Sequence, residues 1–132
     1  MTSANYKDIA SKIKFEGRAF INGKYVDAID GKKFETINPA TGDVLCSVAQ
    51  CSVKDVDLAV KVSRKAFNSG VWSRTSPEFR KDILLKFAEL LRRDGVENSV
   101  LECVDTGKLI GDCINEVAND APMHFQWYGE LI

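Results

Sequence analysis

The stretch FINGKYVDAIDGKKFETINPATG, residues 20–42, decides the fold of this chain. Asn22-Gly23 lies between two short segments with strand-forming residues, which is the strongest short signal for a β-hairpin turn. Asp30-Gly31 predicts a second turn before the strand-like run KFETI. Asn38-Pro39 ends that run, because proline has no N–H to donate to a strand ladder. The stretch therefore predicts antiparallel strands joined by tight turns.

The chain changes character after a further strand, which the sequence predicts over residues 44–48. Apolar residues then recur with the period of about 3.6 that is typical of helices. Ser52 and Asp55 have the spacing of a capping box at the start of the first of these helices. Six apolar or small residues lie on one face of that helix: Val56, Ala59, Val60, Ser63, Ala66 and Phe67.

The last helical pattern, from about Ile110, contains an internal proline, Pro122. Proline inside a regular helix costs about 3 kcal/mol, since it removes a hydrogen bond and clashes with the preceding turn. We therefore expect a kink, or two helices that meet near Asn119-Asp120.

Strands followed by helices predict an α+β fold. We count three antiparallel strands within residues 18–48 and a layer of four helices within residues 53–130. Residues 1–17 are polar and predict an N-terminal arm or a short helix, and residues 18–132 form the main segment. The apolar ending Trp127 to Ile132 is typical of a chain that continues, and we expect a truncated segment.

Composition excludes several classes of protein. The 132 residues carry a formal net charge of −1, so no general attraction to nucleic acid or to an anionic membrane is expected. No apolar run reaches the roughly 18 residues that a membrane span needs. The N-terminus has no long apolar segment of the secretory kind, which favours a cytoplasmic protein.

The chain offers few residues for chemistry of its own. The four cysteines, Cys46, Cys51, Cys103 and Cys113, form no CxxC pair, and His124 is the single histidine. Zinc sites usually have ligands that are closer together in the sequence than these cysteines are. Structural thiols are therefore the favoured interpretation, and a disulfide framework is the alternative. Neither a GxGxxG nor a P-loop motif is present, so no residue pattern predicts a nucleotide cradle.

Four segments, in this order and spacing, resemble the NAD(P)-dependent aldehyde dehydrogenases. They are the hairpin with FETINPATG, then DVDLAVKVSRKAFNSGVWS, RKDILLKFAELLRRD and LECVDTGK. Together they lie within residues 18–128. Within that family, the VDTGK run and the pair Trp127-Tyr128 resemble the bacterial γ-glutamyl-γ-aminobutyraldehyde dehydrogenases of putrescine breakdown. The resemblance implies the N-terminal part of the aldehyde dehydrogenase fold.

The resemblance also implies two candidate sites. Thr36, Ile37 and Asp105 match positions that bind a monovalent cation, Na⁺ or K⁺, in the family. Oxygen ligands of this kind suit hard cations, although an aspartate followed by Thr-Gly is also an ordinary helix-ending sequence. Glu116, Val117 and Asp120 match the mouth of the aldehyde tunnel; a solvated helix face is the alternative. The sequence departs from the family at Leu109, where a proline commonly follows Gly-Lys.

The family's catalytic parts are expected beyond residue 132. In the family a cysteine thiolate attacks the aldehyde, hydride passes to NAD(P)⁺, and a water activated by glutamate hydrolyses the thioester. Within this chain we therefore expect no catalytic residue and no contact to NAD or NADP. The expected partners are the remainder of the parent enzyme and a small aldehyde, with the parent a homo-oligomer.

Two hypotheses follow. The first is an N-terminal segment of an enzyme that oxidises an aldehyde to a carboxylic acid, with no activity in residues 1–132 alone. The second is a self-standing, non-catalytic interaction module with the same fold. For the isolated segment we expect exposed apolar surface that the rest of the enzyme normally covers, and this surface favours self-association.

Overall fold

The computed structural model describes residues 6–132, and the part of the predicted arm before Tyr6 lies outside the described residues. The chain divides into two compact units. The strand unit comprises Phe15–Ile37 and Asp43–Thr75. The helical unit comprises the described residues up to Lys14, then Asn38–Gly42 and Ser76–Ile132.

The strand unit begins with the predicted hairpin. Strand β1, Ala19–Ile21, pairs antiparallel with β2, Lys24–Val26. Asn22 and Gly23 between them have φ angles of 56° and 73°. Left-handed residues at both positions give the turn whose twist matches that of the flanking strands, and asparagine and glycine tolerate this geometry best.

A second two-stranded sheet follows. Strand β3, Lys33–Ile37, pairs antiparallel with β4, Val44–Ala49. The register shifts between Thr36, which faces Cys46, and Ile37, which faces Val44. Leu45 is therefore the extra residue of a β-bulge.

The predicted α+β class is confirmed, but the count of three strands is wrong. The structure has four strands, in two separate two-stranded sheets. The sequence predicted the Asn22-Gly23 turn itself, but the count did not treat its two flanking segments, of only three residues each, as separate strands.

Helix α2, Val53–Ser69, completes the strand unit. It ends at Gly70, which is left-handed at φ 74° and donates its N–H to the Phe67 carbonyl. The segment before β1 also contacts the second sheet, since the Ala49 N–H donates to the Gly17 carbonyl at 2.7 Å. A Cβ added to Gly17 would lie 2.0 Å from the Ser47 carbonyl oxygen, so only glycine allows this approach.

The helical unit contains the remaining helices. Their bounds are α1, Tyr6–Ala10; α3, Pro77–Arg93; α4, Gly95–Thr106; α5, Ile110–Cys113; a π-helix, Ile114–Asp120; and α6, Ala121–Glu130. The short helix α1 contacts α4, and α3 packs mainly against α6. Between these last two, the Phe87 and Phe125 rings meet edge to face with centroids 4.6 Å apart.

The last helical segment accommodates Pro122 by a local change of helix type. The backbone widens into the π-helix just before it, and the Ala121 N–H donates to Glu116, five residues back. Pro122 then lies in the first turn of α6, where its missing N–H is not needed, and its side chain is fully buried. The helix thus continues through Asn119-Asp120 by a change of hydrogen-bond register.

Within residues 6–132, no helix is both long and apolar enough to cross a membrane.

Candidate functional site

The first candidate pair, Thr36 and Ile37, lies at the β-bulge of the second sheet. Thr36 is half-buried, whereas Ile37 ends β3 and is exposed. Bulges occur often beside functional sites, because the extra residue bends the strand and turns its neighbours. The bulge was not predicted from the sequence, and it falls at the two residues that the family resemblance singles out.

Asp105, the third candidate ligand, lies in the last turn of α4 and is exposed. The helix ends at Gly107, left-handed at φ 75°, whose N–H donates to the Cys103 carbonyl. A Cβ on Gly107 would lie 2.7 Å from the Pro39 ring. The Asp-Thr-Gly run therefore ends a helix, as its sequence also predicts. Thr36 and Ile37 belong to the strand unit and Asp105 to the helical unit.

The predicted tunnel-mouth residues share one element. Glu116, Val117 and Asp120 all lie in the π-helix; the two carboxylates are exposed and Val117 is half-buried. π-helical turns are rare and frequent at functional sites. The candidate segment is thus the irregular part of the helix, which Pro122 signals in the sequence.

Lys108 partly neutralises this acidic segment. Its Nζ lies 2.5 Å from Glu116 Oε2, and the hydrogen bond and charge of Glu116 raise the pKa of Lys108. Both side chains are partly open to solvent, so the pair contributes little to stability. Within residues 6–132 no ion pair of this kind involves Asp120, so the segment carries about one net negative charge from its two carboxylates and Lys108.

The cysteines carry free thiols, with Cys113 buried, Cys46 and Cys103 half-buried and Cys51 exposed. Burial raises the pKa of the Cys113 thiol, which keeps it protonated and a poor nucleophile. The same residue accepts a hydrogen bond at its carbonyl from buried Ser99 Oγ, 3.1 Å away. Cys113 is thus part of the contact between α4 and α5.

Asp55 is a buried carboxylate with a larger role than its capping position predicts. Its Oδ2 accepts from the Ser52 N–H and hydroxyl, both at 2.8 Å, and its Oδ1 accepts from the Ile29 N–H, also at 2.8 Å. These bonds, the one to Ser52 first, lower the pKa of Asp55. The contact to Ile29 ties the start of α2 to the loop after β2, a link that sequence spacing does not reveal.

A small cavity of about 240 Å³ lies beside Asp55 in the strand unit. Its lining is mainly apolar, with Ile21 and Val26 from the first hairpin and Leu58 and Val62 from α2. Since Asp55 already accepts three hydrogen bonds, it acts in this wall as a structural group.

The described residues do not fit a dinucleotide cofactor. Dinucleotide-binding folds place glycines in the turn between a parallel strand and a helix, where the backbone approaches the pyrophosphate. Here the connection from β4 to α2 is Gln50, Cys51 and Ser52, without a glycine, and β4 pairs antiparallel with β3. We therefore derive no step through NAD(P) on these residues.

The described residues also do not form a metal site of the usual side-chain kind. Over residues 6–132, no group of three or more His, Cys, Asp or Glu side chains is placed to hold a metal ion. The candidate site for a monovalent cation is of a different kind from such a cluster, because it combines a hydroxyl, a backbone carbonyl and one carboxylate.

Residues 25–132 match the aldehyde dehydrogenase family. The chain is 52% identical over 106 residues to aldehyde dehydrogenase 1 of Tanacetum cinerariifolium, covering 80% of this chain and 21% of the relative. It is 39% identical over all 132 residues to aminoacetaldehyde dehydrogenase of Pseudomonas aeruginosa, of which it covers 27%.

Solved structures agree. The γ-glutamyl-γ-aminobutyraldehyde dehydrogenase of Burkholderia cenocepacia superposes with a TM-score of 0.91 at 40% identity, covering 96% of this chain and 26% of that one. The chain thus spans about a quarter of the length of the relatives it matches. It has the architecture of the N-terminal part of their fold, and by sequence and structure this chain belongs to the aldehyde dehydrogenase family.

Proposed function

We propose that this chain is the N-terminal segment of an enzyme that oxidises an amino-aldehyde of polyamine breakdown to the carboxylic acid, with NAD or NADP as oxidant. The observation that carries the proposal is the match of the whole chain, at 39% identity, to an enzyme named for aminoacetaldehyde. The 40% identity to a γ-glutamyl-γ-aminobutyraldehyde dehydrogenase supports the same substrate class.

In this proposal the 132 residues have an architectural role. They supply two hairpins and a helical layer against which the cofactor and catalytic parts of the parent pack. Many large apolar side chains are exposed, with Leu109 74%, Trp127 63% and Leu131 64% accessible, which supports a role as a surface to be covered. The parent is proposed to be a cytoplasmic homo-oligomer.

The cation site is part of the proposal. Thr36 and Asp105 would supply side-chain oxygens and Ile37 its carbonyl, for Na⁺ or K⁺ in the parent. The β-bulge at Thr36 and Ile37 supports this assignment, because it breaks the regular strand at the two residues concerned.

The π-helix is proposed to border the aldehyde entrance of the parent. Asp120, with Glu116 held by Lys108, would favour a substrate that carries a positive amine. Val117 would offer the apolar wall. A parent with Asp120→Asn is expected to show a higher KM for an amino-aldehyde and an unchanged KM for propanal.

The test of the proposal uses two proteins. The purified 132-residue chain is expected to give no NAD(P)H signal at 340 nm with γ-aminobutyraldehyde or propanal. The same segment joined to the remainder of a relative, in place of that enzyme's own N-terminal part, is expected to restore turnover. Turnover by the short chain, or an inactive but folded chimera, would contradict the proposal.

A non-catalytic module is the second candidate function. The observation that favours it is that residues 6–132 offer no nucleotide cradle. A folded chimera that stays inactive while the short chain binds another protein would favour this reading.

A further inference from the structure

Asn22-Gly23, at the tip of the β1–β2 hairpin, is the single Asn-Gly pair of the sequence. Both residues are exposed, and a Cβ built on Gly23 meets no atom within 4 Å. Asparagine is among the chemically labile residues of proteins. The backbone nitrogen of the next residue attacks its side-chain carbon, and glycine in that place gives the least steric hindrance. The pair therefore has the sequence and the exposure of a deamidation site.

The other described asparagines are poorly placed for this reaction. Asn38 precedes Pro39, whose ring nitrogen carries no hydrogen to lose. The remaining four lie within helices, where the hydrogen-bond ladder holds the backbone nitrogen of the next residue: Asn68, Asn98, Asn115 and Asn119. Asn22 is thus the described asparagine best placed to react.

A second turn of the strand unit, Asp30-Gly31, shows what holds such a pair back. The Gly31 N–H donates to the Ala28 carbonyl at 2.8 Å, and Asp30 Oδ1 lies 3.5 Å from Lys54 Nζ. Both the attacking nitrogen and the group that it would attack are therefore engaged. Asp30-Gly31 is an internal comparison for the first hairpin.

The folded hairpin holds Asn22 in a conformation that opposes ring closure. The φ angles of 56° at Asn22 and 73° at Gly23 are those of a type I′ turn, in which ψ of the first residue is about +30°. At that ψ the Gly23 nitrogen and the Asn22 Cβ lie on opposite sides of the Cα–C bond, whereas a five-membered ring needs them on the same side. The turn must therefore open before the nitrogen reaches the side-chain carbon.

The hairpin is small enough to open locally. Its two strands have three residues each and form a sheet of their own. An isolated two-stranded hairpin is marginally stable in water. The Phe20 and Tyr25 rings meet with centroids 5.1 Å apart, and the Arg18 guanidinium lies 5.6 Å from the Tyr25 centroid. Tyr25 thus links the two strands and helps to keep the turn closed.

We propose that Asn22 is a site of spontaneous deamidation and that closure of the β1–β2 hairpin controls its rate. The Gly23 nitrogen forms a bond to Asn22 Cγ, the bond from Cγ to Nδ2 breaks, and the side-chain nitrogen leaves as ammonia with the proton of the Gly23 N–H. The resulting succinimide takes up water at either carbonyl and opens to aspartate or isoaspartate. Water is the single co-reactant, and nothing is oxidised or reduced. The inference concerns this chain itself and does not rest on the catalytic proposal.

The two products differ in their effect on the hairpin. Aspartate leaves the main chain unchanged, and Asp-Gly also favours a type I′ turn. Isoaspartate inserts a methylene group into the main chain, so a two-residue turn no longer connects Ile21 and Lys24 in register. Either product adds one negative charge to a chain whose formal net charge is −1. Formation of isoaspartate therefore makes the opening of the hairpin permanent.

Peptide mapping by mass spectrometry tests the proposal on the 132-residue chain. During incubation in mildly alkaline buffer, conversion of amide to acid is expected at Asn22 and at no other described asparagine. Isoaspartate is identified in the same peptide by its methylation with isoaspartyl methyltransferase, and Asp30-Gly31 is expected to stay unmodified. Incubation in urea is expected to speed the reaction at Asn22 about tenfold or more, because the rate in buffer follows the small open fraction of the hairpin.

Two tyrosine variants test the role of the hairpin without denaturant. Tyr25→Ala is expected to speed deamidation about 2- to 10-fold, the factor that corresponds to the loss of one aromatic pair. Tyr128→Ala removes a tyrosine of similar exposure, 62% against 52%, from the helical unit and is expected to leave the rate unchanged. No conversion at Asn22 even in urea, equal rates in buffer and in urea, or equal rates in the two variants would each overturn the proposal.

Discussion

At the residue scale, Asp55 joins three backbone or hydroxyl donors around one buried carboxylate. Removing the carboxylate leaves at least one of these donors without a partner, because asparagine presents a single acceptor oxygen. A buried donor left unsatisfied costs more than the hydrogen bond contributes. The strand unit therefore depends on Asp55 for the position of α2.

Asp55→Asn is expected to lower the Tm of the strand unit by several degrees at neutral pH. Because the hydrogen bonds hold the pKa of Asp55 below its ordinary value, this stabilisation is fully present above the unfolded-state pKa, about 4, and is lost as pH falls through the lower folded-state value. The difference in Tm between wild type and variant should therefore shrink below about pH 4. Asp82→Asn, at an exposed position of α3, is the matched control, and a pH-independent difference would contradict the assignment.

Gly17 and Gly111 differ in the space available for a side chain. Gly17→Ala is expected to destabilise the chain by about 1–3 kcal/mol or more, because a Cβ would collide with the Ser47 carbonyl of β4. Gly111→Ala, with open space around it in α5, is expected to stabilise by up to about 1 kcal/mol through helix propensity. Urea unfolding of both variants measures this, and equal effects would disprove the close approach.

At the element scale, the helices begin and end where local sequence dictates. Ser76 caps α3 by accepting the Phe79 N–H at 3.2 Å, and Pro77 follows at the first helical position. Such caps satisfy an N–H that otherwise has no partner in the helix.

Ser76→Ala is expected to cost about 1 kcal/mol of stability, the usual contribution of a serine cap. Ser73→Ala, just before it and exposed, is expected to change stability little. Amide hydrogen exchange should show the loss in the first turn of α3. Protection that stays unchanged there would show that Ser76 does not cap the helix.

At the scale of the whole molecule, the two units differ in how much they bury. The helical unit contains most of the buried residues, among them Val100, Cys113 and Pro122, whereas the strand unit buries mainly Ala28, Ala49 and Asp55. Less apolar burial means less stabilisation. The strand unit is therefore the weaker of the two.

Each unit contains one tryptophan, Trp72 in the strand unit and Trp127 in the helical unit. With Trp127→Phe, the remaining Trp72 reports the strand unit, and with Trp72→Phe, Trp127 reports the helical unit. Urea unfolding followed by fluorescence is expected to give a lower midpoint for the Trp72 signal, since separate units need not unfold together. Coincident midpoints would show a single cooperative unit.

The sequence by itself determined the α+β class, the Asn22-Gly23 turn, the helix caps and the family, because each of these follows from residue patterns over short stretches of the chain. It also marked Pro122 as an irregularity. The division of the strands into two sheets, the bulge at Thr36 and Ile37, the π-helical register and the reach of Asp55 to Ile29 were decided by tertiary structure. The two sheets, the bulge and the contact of Asp55 with Ile29 depend on which groups meet across separate segments, and local patterns do not encode that pairing. The π-helical turn is a local change of hydrogen-bond register that the apolar period of 3.6 residues does not reveal.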